Sequence, residues 1–296
     1  MKIGLVSLGC SKNLVDSELM LGALREAGFV ATDELAQAEV LIVNSCGFIE
    51  SAKKESIDAV LRLAEYKQTG VCRVLVLAGC LGQRYSGDLM NELPEIDAIV
   101  GTGAWDRLPE AIQTALQGMR TIFTEGNSIL PDASMPRMRS TPPYLAYVKI
   151  AEGCNHSCAF CAIPQIRGPL VSRTIESIRQ EVSRLVAEGV REINLVAQDT
   201  TSYGIDLYGR PRLVDLLKEL CLVEGRFWLR ILYSYPKNFS AELIQLMAKE
   251  PKICKYVDIP LQHVHDDLLR AMRRPDRRRD IEKLIASLRS AMPDVA

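Results

Sequence analysis

Three cysteines lie close together in the segment EGCNHSCAFCAIPQIRG, which covers residues 152–168. Cys154, Cys158 and Cys161 are spaced C-x3-C-x2-C, so three thiols fall within eight residues. Thiolates bind zinc and iron, and a metal site closed by protein usually takes four ligands. The segment therefore indicates a metal centre that is one protein ligand short.

Three kinds of site fit this spacing. A zinc site would need His156 or a more distant group as its fourth ligand, and structural zinc sites usually pair two C-x2-C knuckles. A cluster of thiols without metal is the second interpretation. The third is a four-iron cluster, in which three cysteines leave one iron open for a substrate or cofactor. We favour the third, because only one knuckle is present and His263 and His265 are far away in sequence.

Three further cysteines share a position relative to predicted strands. Cys10 ends KIGLVSLGC, Cys46 ends EVLIVNSC and Cys80 ends RVLVLAGC. The carboxyl edge of a parallel sheet is where ligands bind, and neighbouring strands are about 4.8 Å apart. Cys72 precedes its strand and belongs to the opposite edge. A single cysteine is often only a small buried hydrophobe, but three at equivalent strand ends predict a shared site.

Strands and helices alternate over residues 1–125, which predicts an α/β domain with a doubly wound parallel sheet and helices on both faces. The first helix is predicted over residues 16–27. Asp16 or Ser17 is its expected N-cap, and Gly28 is its expected stop.

Residues 126–143, GNSILPDASMPRMRSTPP, contain four prolines and no clear periodicity, so they are predicted to link two domains. A second strand–helix series follows over residues 144–296. Its expected strands are YLAYVKIAEGC, EINLVAQD, FWLRILYSYP and YVDIPLQH. This series predicts a βα barrel, with the Cys154 loop at the carboxyl edge where barrel active sites form.

Composition excludes several classes of protein. A length of 296 residues suits about two domains. The net charge of −1 argues against a surface built mainly to hold nucleic acid. No apolar run approaches the roughly 18 residues of a membrane span, and MKIGLVSLGC fits a first strand better than a signal peptide. We expect a cytoplasmic protein, in which clustered cysteines more often bind metal than form disulfides.

The C-x3-C-x2-C loop after the first strand of a βα series resembles that of the radical S-adenosylmethionine enzymes. The preceding domain with its three cysteines narrows this resemblance to the methylthiotransferases, and the resemblance covers essentially the whole chain. SLGCSKNLVDSE (residues 7–18) and LVAQDTTSYG (residues 195–204) are similar to the type that modifies an aspartate of ribosomal protein S-twelve. The tRNA-modifying type typically opens with a YGCQMN-like segment and has QN where this chain has Gln198-Asp199.

The resemblance implies two 4Fe-4S clusters, held by two sets of three cysteines: Cys154, Cys158 and Cys161, and Cys10, Cys46 and Cys80. It implies that one S-adenosyl-L-methionine donates its methyl group to a sulfur at the second cluster. Another is cleaved to a 5′-deoxyadenosyl radical, which removes a hydrogen from the β-carbon of the aspartate. Ribosomal protein S-twelve, an electron donor and a sulfur donor are the implied partners. Neither a membrane nor nucleic acid as primary substrate is expected.

Four further residues are candidates for cofactor binding: Phe160, Gln198, Arg230 and Gln262. Phe160 would shield the cluster or simply pack. Gln198 and Arg230 could hold the carboxylate or ribose of the cofactor, since Arg binds carboxylates through paired hydrogen bonds. Arg230 fits equally well in an ion pair, with Asp258 as the suggested partner. No catalytic residue is assigned beyond the cluster ligands.

The basic run RRPDRRRD, residues 273–280, is predicted to be a solvated helix face or a contact with ribosomal RNA or protein. Radical barrels of this family have about six strands, followed by a GFPGE-like segment and a small β-barrel domain, TRAM. We count four strands, so we expect a C-terminally truncated chain with a partial barrel and no TRAM domain. Two alternative functions remain: a tRNA adenosine methylthiotransferase, and a metal-binding scaffold without catalytic activity.

Overall fold

The computed structural model describes residues 1–125 and 130–296, and these residues form two compact units. The first unit contains residues 1–125, Ser134–Ser140 and Gln165–Gly168. The second contains Leu130–Ala133, Thr141–Pro164 and Pro169–Ala296. The first four residues of the linker predicted over 126–143 lie outside the described part, and the rest of it is divided between the two units.

A parallel sheet forms the centre of the first unit. Within residues 1–125 its six strands are β1 (Lys2–Ser7), β2 (Val30–Ala31), β3 (Val40–Ser45), β4 (Val74–Gly79), β5 (Ala98–Val100) and β6 (Thr121–Phe123). They lie in the order β2-β1-β3-β4-β5-β6, and every neighbouring pair is parallel. This order confirms the doubly wound sheet and places its topological switch point between β1 and β3.

Helices cover both faces of this sheet. They are α1 (Ser11–Glu26), α2 (Glu50–Ala64), α3 (Tyr66–Thr69), α4 (Cys80–Glu92) and α5 (Leu108–Leu116). Strands β3 and β4 are buried at every residue, as is typical of parallel strands covered on both sides. Leu41 and Leu75 pack with Val60 of α2 and Leu81 of α4, whereas α1 and α5 contact each other.

Helix α1 begins earlier than predicted. It starts at Ser11, directly after Cys10, and neither Asp16 nor Ser17 is its N-cap. The prediction was wrong because polar side chains, Asp16 and Ser17 among them, are buried in the first turns. Apolar periodicity therefore does not mark where the helix starts. The predicted stop at Gly28 is confirmed by its left-handed φ of +86°.

The second unit also has a parallel sheet. In the described residues from 130 onward, its strands are β7 (Leu145–Lys149), β10 (Glu192–Val196) and β11 (Trp228–Ile231), in the order β11-β10-β7. An additional antiparallel pair consists of β8 (Ala151–Glu152) and β9 (Val171–Ser172). This arrangement of parallel strands and helices is α/β, as predicted for the partial barrel.

Helices follow or precede these strands throughout the second half of the chain. They are α6 (Ile163–Arg167), α7 (Ile175–Ala187), α8 (Ile205–Tyr208), α9 (Leu213–Cys221), α10 (Ala241–Lys249), α11 (Asp266–Ala271) and α12 (Arg278–Ala291). Thr174 caps α7 and Ser240 caps α10, each by accepting a backbone N–H. Both starts agree with the sequence prediction. None of the described helices is long and apolar enough to cross a membrane.

The predicted fourth strand, YVDIPLQH, does not form in the described residues. An isolated bridge, Leu229 to Ile253, pairs the chain with β11 before this segment begins. Farther along, the backbone carbonyl of Asp258 accepts the Ser234 N–H at 3.0 Å, and its side chain accepts the Tyr233 N–H at 3.0 Å. The Val257 N–H donates instead to the carbonyl of Ala296 at 2.8 Å, and Pro260 has no N–H to donate. The segment therefore lacks the regular series of backbone hydrogen bonds that a strand ladder requires.

Candidate functional site

The first candidate site is the N-terminal thiol site, formed by Cys10, Cys46 and Cys80. These residues follow β1, β3 and β4, which are neighbours in the sheet. Cys10 directly precedes α1, and Cys80 is the first residue of α4. The thiolate charges of Cys10 and Cys46 both act on the pKa of Cys80, so the three thiols lie close enough to interact. The structure thus brings together the cysteines that the strand pattern had grouped.

Close backbone packing holds this site together. Gly9 has a left-handed φ of +86°, and a Cβ atom there would lie 2.9 Å from the Cβ of Cys46 and 3.4 Å from its Sγ. Only glycine suits both the backbone conformation and the available space. The loop that carries Cys10 can therefore pack directly against Cys46.

A set of buried amides connects the ends of the strands at this site. The Asn13 amide donates to the carbonyl of Leu8 at 3.1 Å and to that of Ser45 at 2.8 Å. Its Oδ1 accepts from the thiol of Cys80 at 3.6 Å. The Asn44 amide donates to the Asn13 carbonyl at 2.8 Å. Sequence reasoning missed both asparagines, although polar residues in a buried strand and beside a Gly-Cys pair were a usable signal.

Arg167 completes the N-terminal thiol site from a distant part of the sequence. Its side chain is buried, and its Nε donates to the Sγ of Cys80 at 3.3 Å. Nη1 donates to Asp16 at 3.1 Å, and Nη2 donates to Oδ1 of Asn13. Thr102 donates to the carbonyl of Ile166 at 2.9 Å, which holds the neighbouring backbone. Sequence analysis did not assign a role to Arg167.

The surrounding charges act differently on two of the thiols. Burial would raise the pKa of Cys10, but the positive charges of Lys12 and Arg167 and nearby backbone N–H groups lower it overall. Burial raises the pKa of Cys80, and the charge of Arg167 only partly opposes this. The Cys10 thiol therefore loses its proton more readily than an ordinary thiol, and the thiolate is the form that binds metal.

The second candidate site is the C-terminal thiol site, formed by Cys154, Cys158 and Cys161. Its loop starts just after β8, beyond the carboxyl end of β7, and leads into α6. The backbone N–H of Cys161 donates to the carbonyl of Cys158 at 3.1 Å, so the loop turns back on itself. Each of the other two thiolates acts on the pKa of Cys154. The three thiols therefore lie close enough to interact.

His156 anchors this loop and does not face the thiols as a fourth ligand. Its Nε2 lies 2.7 Å from Oδ2 of Asp199, and its ring stacks on Tyr235 with a centroid separation of 3.9 Å. Asp199 also accepts from the backbone and hydroxyl of Thr201 and of Ser202. Burial would raise the pKa of Asp199, but these hydrogen bonds lower it overall. The carboxylate therefore stays charged and fixes the histidine.

Arg274 supports the same loop from the opposite side of Tyr235. Its guanidinium carbon lies 4.1 Å from the centre of the Tyr235 ring. The His156 ring and the Arg274 guanidinium both lie too close to the centre of the Tyr235 ring to share one of its faces. Tyr235 is therefore held between them. Nη1 of Arg274 donates to the Sγ of Cys158 at 3.8 Å, and Nη2 donates to the carbonyl of Pro260 at 2.8 Å. Both ends of the stack thus reach the cysteine loop.

The basic run 273–280 has two kinds of residue. Arg274 is only 5% exposed, and α12 does not start until Arg278. Arg278 and Arg279 are exposed, and Arg278 pairs with Glu282 at 2.7 Å on the same helix. The prediction of a solvated helix face therefore describes the end of the run but not Arg274.

Burial keeps thiols of the C-terminal site protonated in the metal-free chain. It raises the pKa of Cys154 to about 11, despite a backbone hydrogen bond from His156 that opposes the shift. Burial also raises the pKa of Cys161. A metal that binds here must displace protons, because thiolates are the ligands.

A cavity of about 220 Å³ lies beside Cys154. Its polar lining includes Asp199, Ser202, Lys237 and Asn238. The Asn238 amide donates to the Ser202 hydroxyl at 2.8 Å. Sequence analysis quoted the segment LVAQDTTSYG that contains Ser202 but gave this residue no role, and it did not identify Lys237 or Asn238, which form no short motif.

The predicted cofactor residues Gln198 and Arg230 both have acidic partners. Gln198 donates to Glu152, whose carboxylate also pairs with the buried Lys149 at 2.6 Å. Arg230 donates to Glu192 at 2.8 Å. The suggested pairing of Arg230 with Asp258 was wrong, because Glu192 on the neighbouring strand lies directly within reach.

The other two predicted residues are at the surface. Phe160, in the cysteine loop, is 48% exposed, so it is not packed into the core. Gln262 is exposed and has a left-handed φ of +67°. Their roles at a cofactor stay predictions.

The donor sets fit an iron–sulfur cluster better than zinc. Within the two described ranges, no three His, Cys, Asp or Glu side chains converge on the point that a single metal ion would occupy. A four-iron cluster binds each cysteine at a different iron, so its thiolates stand apart from one another. At the second thiol site, His156 is bonded to Asp199 and is not available as a fourth zinc ligand.

Two family models match the chain. The first is described as the uncharacterized protein family UPF0004 and matches residues 2–101. The second is the radical SAM superfamily and matches residues 148–296, which is half of the chain. The two matches correspond to the two cysteine groups.

Curated relatives carry the name ribosomal protein uS12 methylthiotransferase RimO. The protein from Desulforamulus reducens is 54% identical over 99% of this chain. Those from Pelotomaculum thermopropionicum and Heliobacterium modesticaldum are each 50% identical over 99% and 100% of it. The chain spans 66%, 66% and 64% of the lengths of these three relatives, which is slightly under two thirds.

Solved structures of radical S-adenosylmethionine enzymes share the fold. The methyltransferase TsrM from Kitasatospora setae, with cobalamin and a [4Fe-4S] cluster bound, aligns with a TM-score of 0.67 at 14% identity. That alignment covers 98% of this chain and 65% of TsrM. The cobalamin-dependent enzyme OxsB aligns with a TM-score of 0.61 at 9% identity, covering 97% of this chain and 47% of OxsB. At such low identity these likenesses concern the fold alone.

Proposed function

This chain belongs to the radical S-adenosylmethionine superfamily, and we propose that it is a methylthiotransferase of the RimO type. Its reaction would place a methylthio group on the β-carbon of an aspartate in ribosomal protein S-twelve. The observation that carries this proposal is the presence of two separate three-cysteine sites, each beyond the carboxyl ends of parallel strands. The names of the curated relatives support the reaction and the substrate.

We assign two 4Fe-4S clusters and S-adenosyl-L-methionine as cofactors. Cys154, Cys158 and Cys161 would hold one cluster, and the N-terminal thiol site would hold the other. When bound, these cofactors would supply the one-electron chemistry that opens a C–H bond without an acidic proton. Each site offers three thiols, which supports a cluster that keeps one iron free for a further ligand.

Residues of this chain would hold the Cys154–Cys161 loop in one position and orient the cofactor beside it. The stack of His156, Tyr235 and Arg274 holds the cysteine loop at two points, His156 and Cys158. In the adjoining cavity, the ammonium of Lys237 and the polar groups of Ser202 suit a ligand that carries a carboxylate. The amino acid end of S-adenosylmethionine has such a group.

We retain four residues as proposed cofactor contacts: Phe160, Gln198, Arg230 and Gln262. They differ in what would have to change before each could contact the cofactor. Gln198 and Arg230 would have to share or exchange their present acidic partners. Phe160 and Gln262 are accessible, and a bound cofactor would cover them.

The proposed partners are ribosomal protein S-twelve, an electron donor and a sulfur donor, and the proposed compartment is the cytoplasm. A deletion strain separates this reaction from the same chemistry on tRNA. Mass spectrometry of ribosomal protein S-twelve from such cells should show loss of the methylthio group, with tRNA unchanged. Loss from tRNA alone would contradict the proposed substrate.

The cluster assignment is tested on protein purified and reconstituted without oxygen. We expect about eight irons per chain, falling to about four when Cys154, Cys158 and Cys161 are changed to Ala. Cys72→Ala is the matched control, because Cys72 is buried at the opposite edge of the first sheet. About one zinc and no iron would instead support a metal-binding scaffold.

A further inference from the structure

The N-terminal thiol site depends on a residue from outside the N-terminal segment of the chain. Arg167 follows Cys161 by six positions, whereas the first family match ends at residue 101. The short segment Gln165–Gly168 nevertheless belongs to the first compact unit. A side chain from the segment after the C-terminal cysteine loop is thus built into the N-terminal thiol site.

The contacts of Arg167 are suited to an anionic sulfur. Its side chain is 2% exposed, and a guanidinium buried this deeply needs partners that compensate its charge. Asp16 provides one negative charge at 3.1 Å, and Asn13 provides a neutral acceptor. The Nε donor points to Cys80 at 3.3 Å. A hydrogen bond from a charged donor is much stronger to a thiolate than to a thiol.

The contacts of Arg167 extend beyond Cys80. Through Asp16 and Asn13 it also contacts α1, the helix that directly follows Cys10. The arginine is positioned to hold α1 and Cys80 in a fixed relation around whatever the thiols bind.

We propose that Arg167 is a positioning residue of the N-terminal cluster, which it holds at Cys80 and whose reduction potential it raises. This inference rests on the proposed cluster at Cys10, Cys46 and Cys80. Hydrogen bonds to the sulfurs and nearby positive charge favour the more negative, reduced state of an iron–sulfur cluster. Removing Arg167 would therefore lower the potential and weaken retention of the cluster.

The experiment uses the full chain with Cys154, Cys158 and Cys161 changed to Ala, so that only iron at the N-terminal site is counted. Arg167→Met and Arg167→Lys are compared with the same two substitutions at Arg137. The side chain of Arg137 is also only 6% exposed. Its Nε donates at 2.8 Å to Glu18, which lies on α1, the helix that Arg167 contacts. The midpoint potential is measured by redox titration with electron paramagnetic resonance, and iron release is timed with a chelator.

We expect Arg167→Met to shift the potential to a more negative value and to speed iron release several-fold. Arg167→Lys keeps the charge but loses the planar fork, so a smaller shift in the same direction is expected. The Arg137 variants should keep the parent potential, even if they lower the stability of the fold. If Arg167→Met assembles no cluster, the shift in midpoint potential of Arg167→Lys tests the inference instead.

The experiment distinguishes failure of the proposed N-terminal cluster from failure of the inference about Arg167. A parent chain that binds no iron at Cys10, Cys46 and Cys80 would overturn the second cluster itself, and the inference with it. A parent with about four irons, whose potential and release rate are unchanged in both Arg167 variants, would overturn the inference alone. A shift of equal size in the Arg137 variants would also overturn it, because the effect would then be one of general stability.

Discussion

Each thiol site has one buried arginine that donates to a cysteine sulfur. Arg167 reaches Cys80, and Arg274 reaches Cys158. A metal site formed by thiolates accumulates negative charge in a poorly solvated place, and a guanidinium nearby reduces the cost of that charge. At the two proposed clusters the arginines would therefore have the same electrostatic role, although they come from unrelated segments of the sequence.

Changing Arg274 to Met should weaken the C-terminal thiol site. The variant loses both the stacking on Tyr235 and the donor to Cys158. We expect iron bound at this site to be released to a chelator several-fold faster, measured in a chain whose N-terminal cysteines are Ala. Arg279→Met is the matched control in the same basic run, since its side chain is 88% exposed. Equal release rates in the two variants would contradict a role for Arg274.

Asp199→Asn should destabilise the metal-free chain by about 1–3 kcal/mol at pH 7, because a buried charged acceptor is lost. The pKa of Asp199 is lowered in the folded chain by hydrogen bonds that outweigh burial. Its contribution is therefore fully present above the unfolded pKa, about 3.9. That contribution is lost as the pH falls through the lower folded value.

Chemical denaturation of wild type and Asp199→Asn between pH 7 and pH 3 measures this contribution. The difference in unfolding free energy should be constant near neutrality and shrink at the acid end. Asp267→Asn is the control, because its side chain is 71% exposed. A difference that stays the same down to pH 3 would show that the charge of Asp199 does not matter.

At the residue scale, the C-x3-C-x2-C spacing and the strand context pointed to the six proposed ligands but not to the residues around them. The six cysteines stand out because a thiol at a strand end is uncommon and chemically specific. Asn13, Asp16 and Arg167 are ordinary polar residues, and their function depends on contacts 151 and 154 positions apart in sequence. Single-sequence patterns extend over a few turns of helix and cannot show such contacts.

At the scale of elements, turns between strand and helix place the cysteines. Gly79 ends β4 with a φ of +86°, and a Cβ there would lie 2.2 Å from Oδ1 of Asn44. Gly28 ends α1 with the same φ, but a Cβ there would meet nothing within 4 Å. Gly79 also has a ψ of −155°, a backbone conformation that is essentially restricted to glycine. A side chain at Gly28 would therefore meet a conformational cost alone, whereas one at Gly79 would meet a conformational and a steric cost.

Gly28→Ala should therefore cost about 1–2 kcal/mol of unfolding free energy, from the left-handed backbone alone. Gly79→Ala should cost at least a further 1–3 kcal/mol, because the site cannot accept the added methyl group. We expect only Gly79→Ala to reduce iron at the N-terminal thiol site, since it displaces Cys80. Denaturation and iron analysis of both variants test this, and equal losses would contradict the steric argument.

Sequence patterns predicted elements best where burial is apolar and continuous. Strands β3 and β4 were found for that reason, and the starts of α7 and α10 were found because Thr174 and Ser240 are capping residues. The start of α1 was missed because its buried side chains are polar. The segment YVDIPLQH has the alternation of a strand, but the Val257 N–H donates to Ala296 and the side chain of Asp258 accepts the Tyr233 N–H, so no regular ladder forms. Propensity was overridden where side chains serve a site or compete with the backbone.

At the scale of the whole molecule, the chain combines two α/β units with one cysteine triplet each. The sequence analysis placed one triplet in each of two strand–helix series, which it predicted to be separated by residues 126–143. The segments Ser134–Ser140 and Gln165–Gly168, which belong to the first unit, could not be predicted from composition. Their placement follows from buried charges such as Arg137, which binds Glu18.

The two units should be separable in function. With Cys10, Cys46 and Cys80 changed to Ala, the C-terminal thiol site keeps its ligands, so about four irons should remain. Under the proposed function, such a chain should still cleave S-adenosylmethionine after reduction but form no methylthio product, because the site proposed to carry the sulfur is lost. Release of 5′-deoxyadenosine and mass spectrometry of the protein substrate measure the two activities.

The control variant Cys72→Ala should retain both activities. Loss of cleavage in the triple variant would show that the N-terminal site is required for the radical chemistry itself.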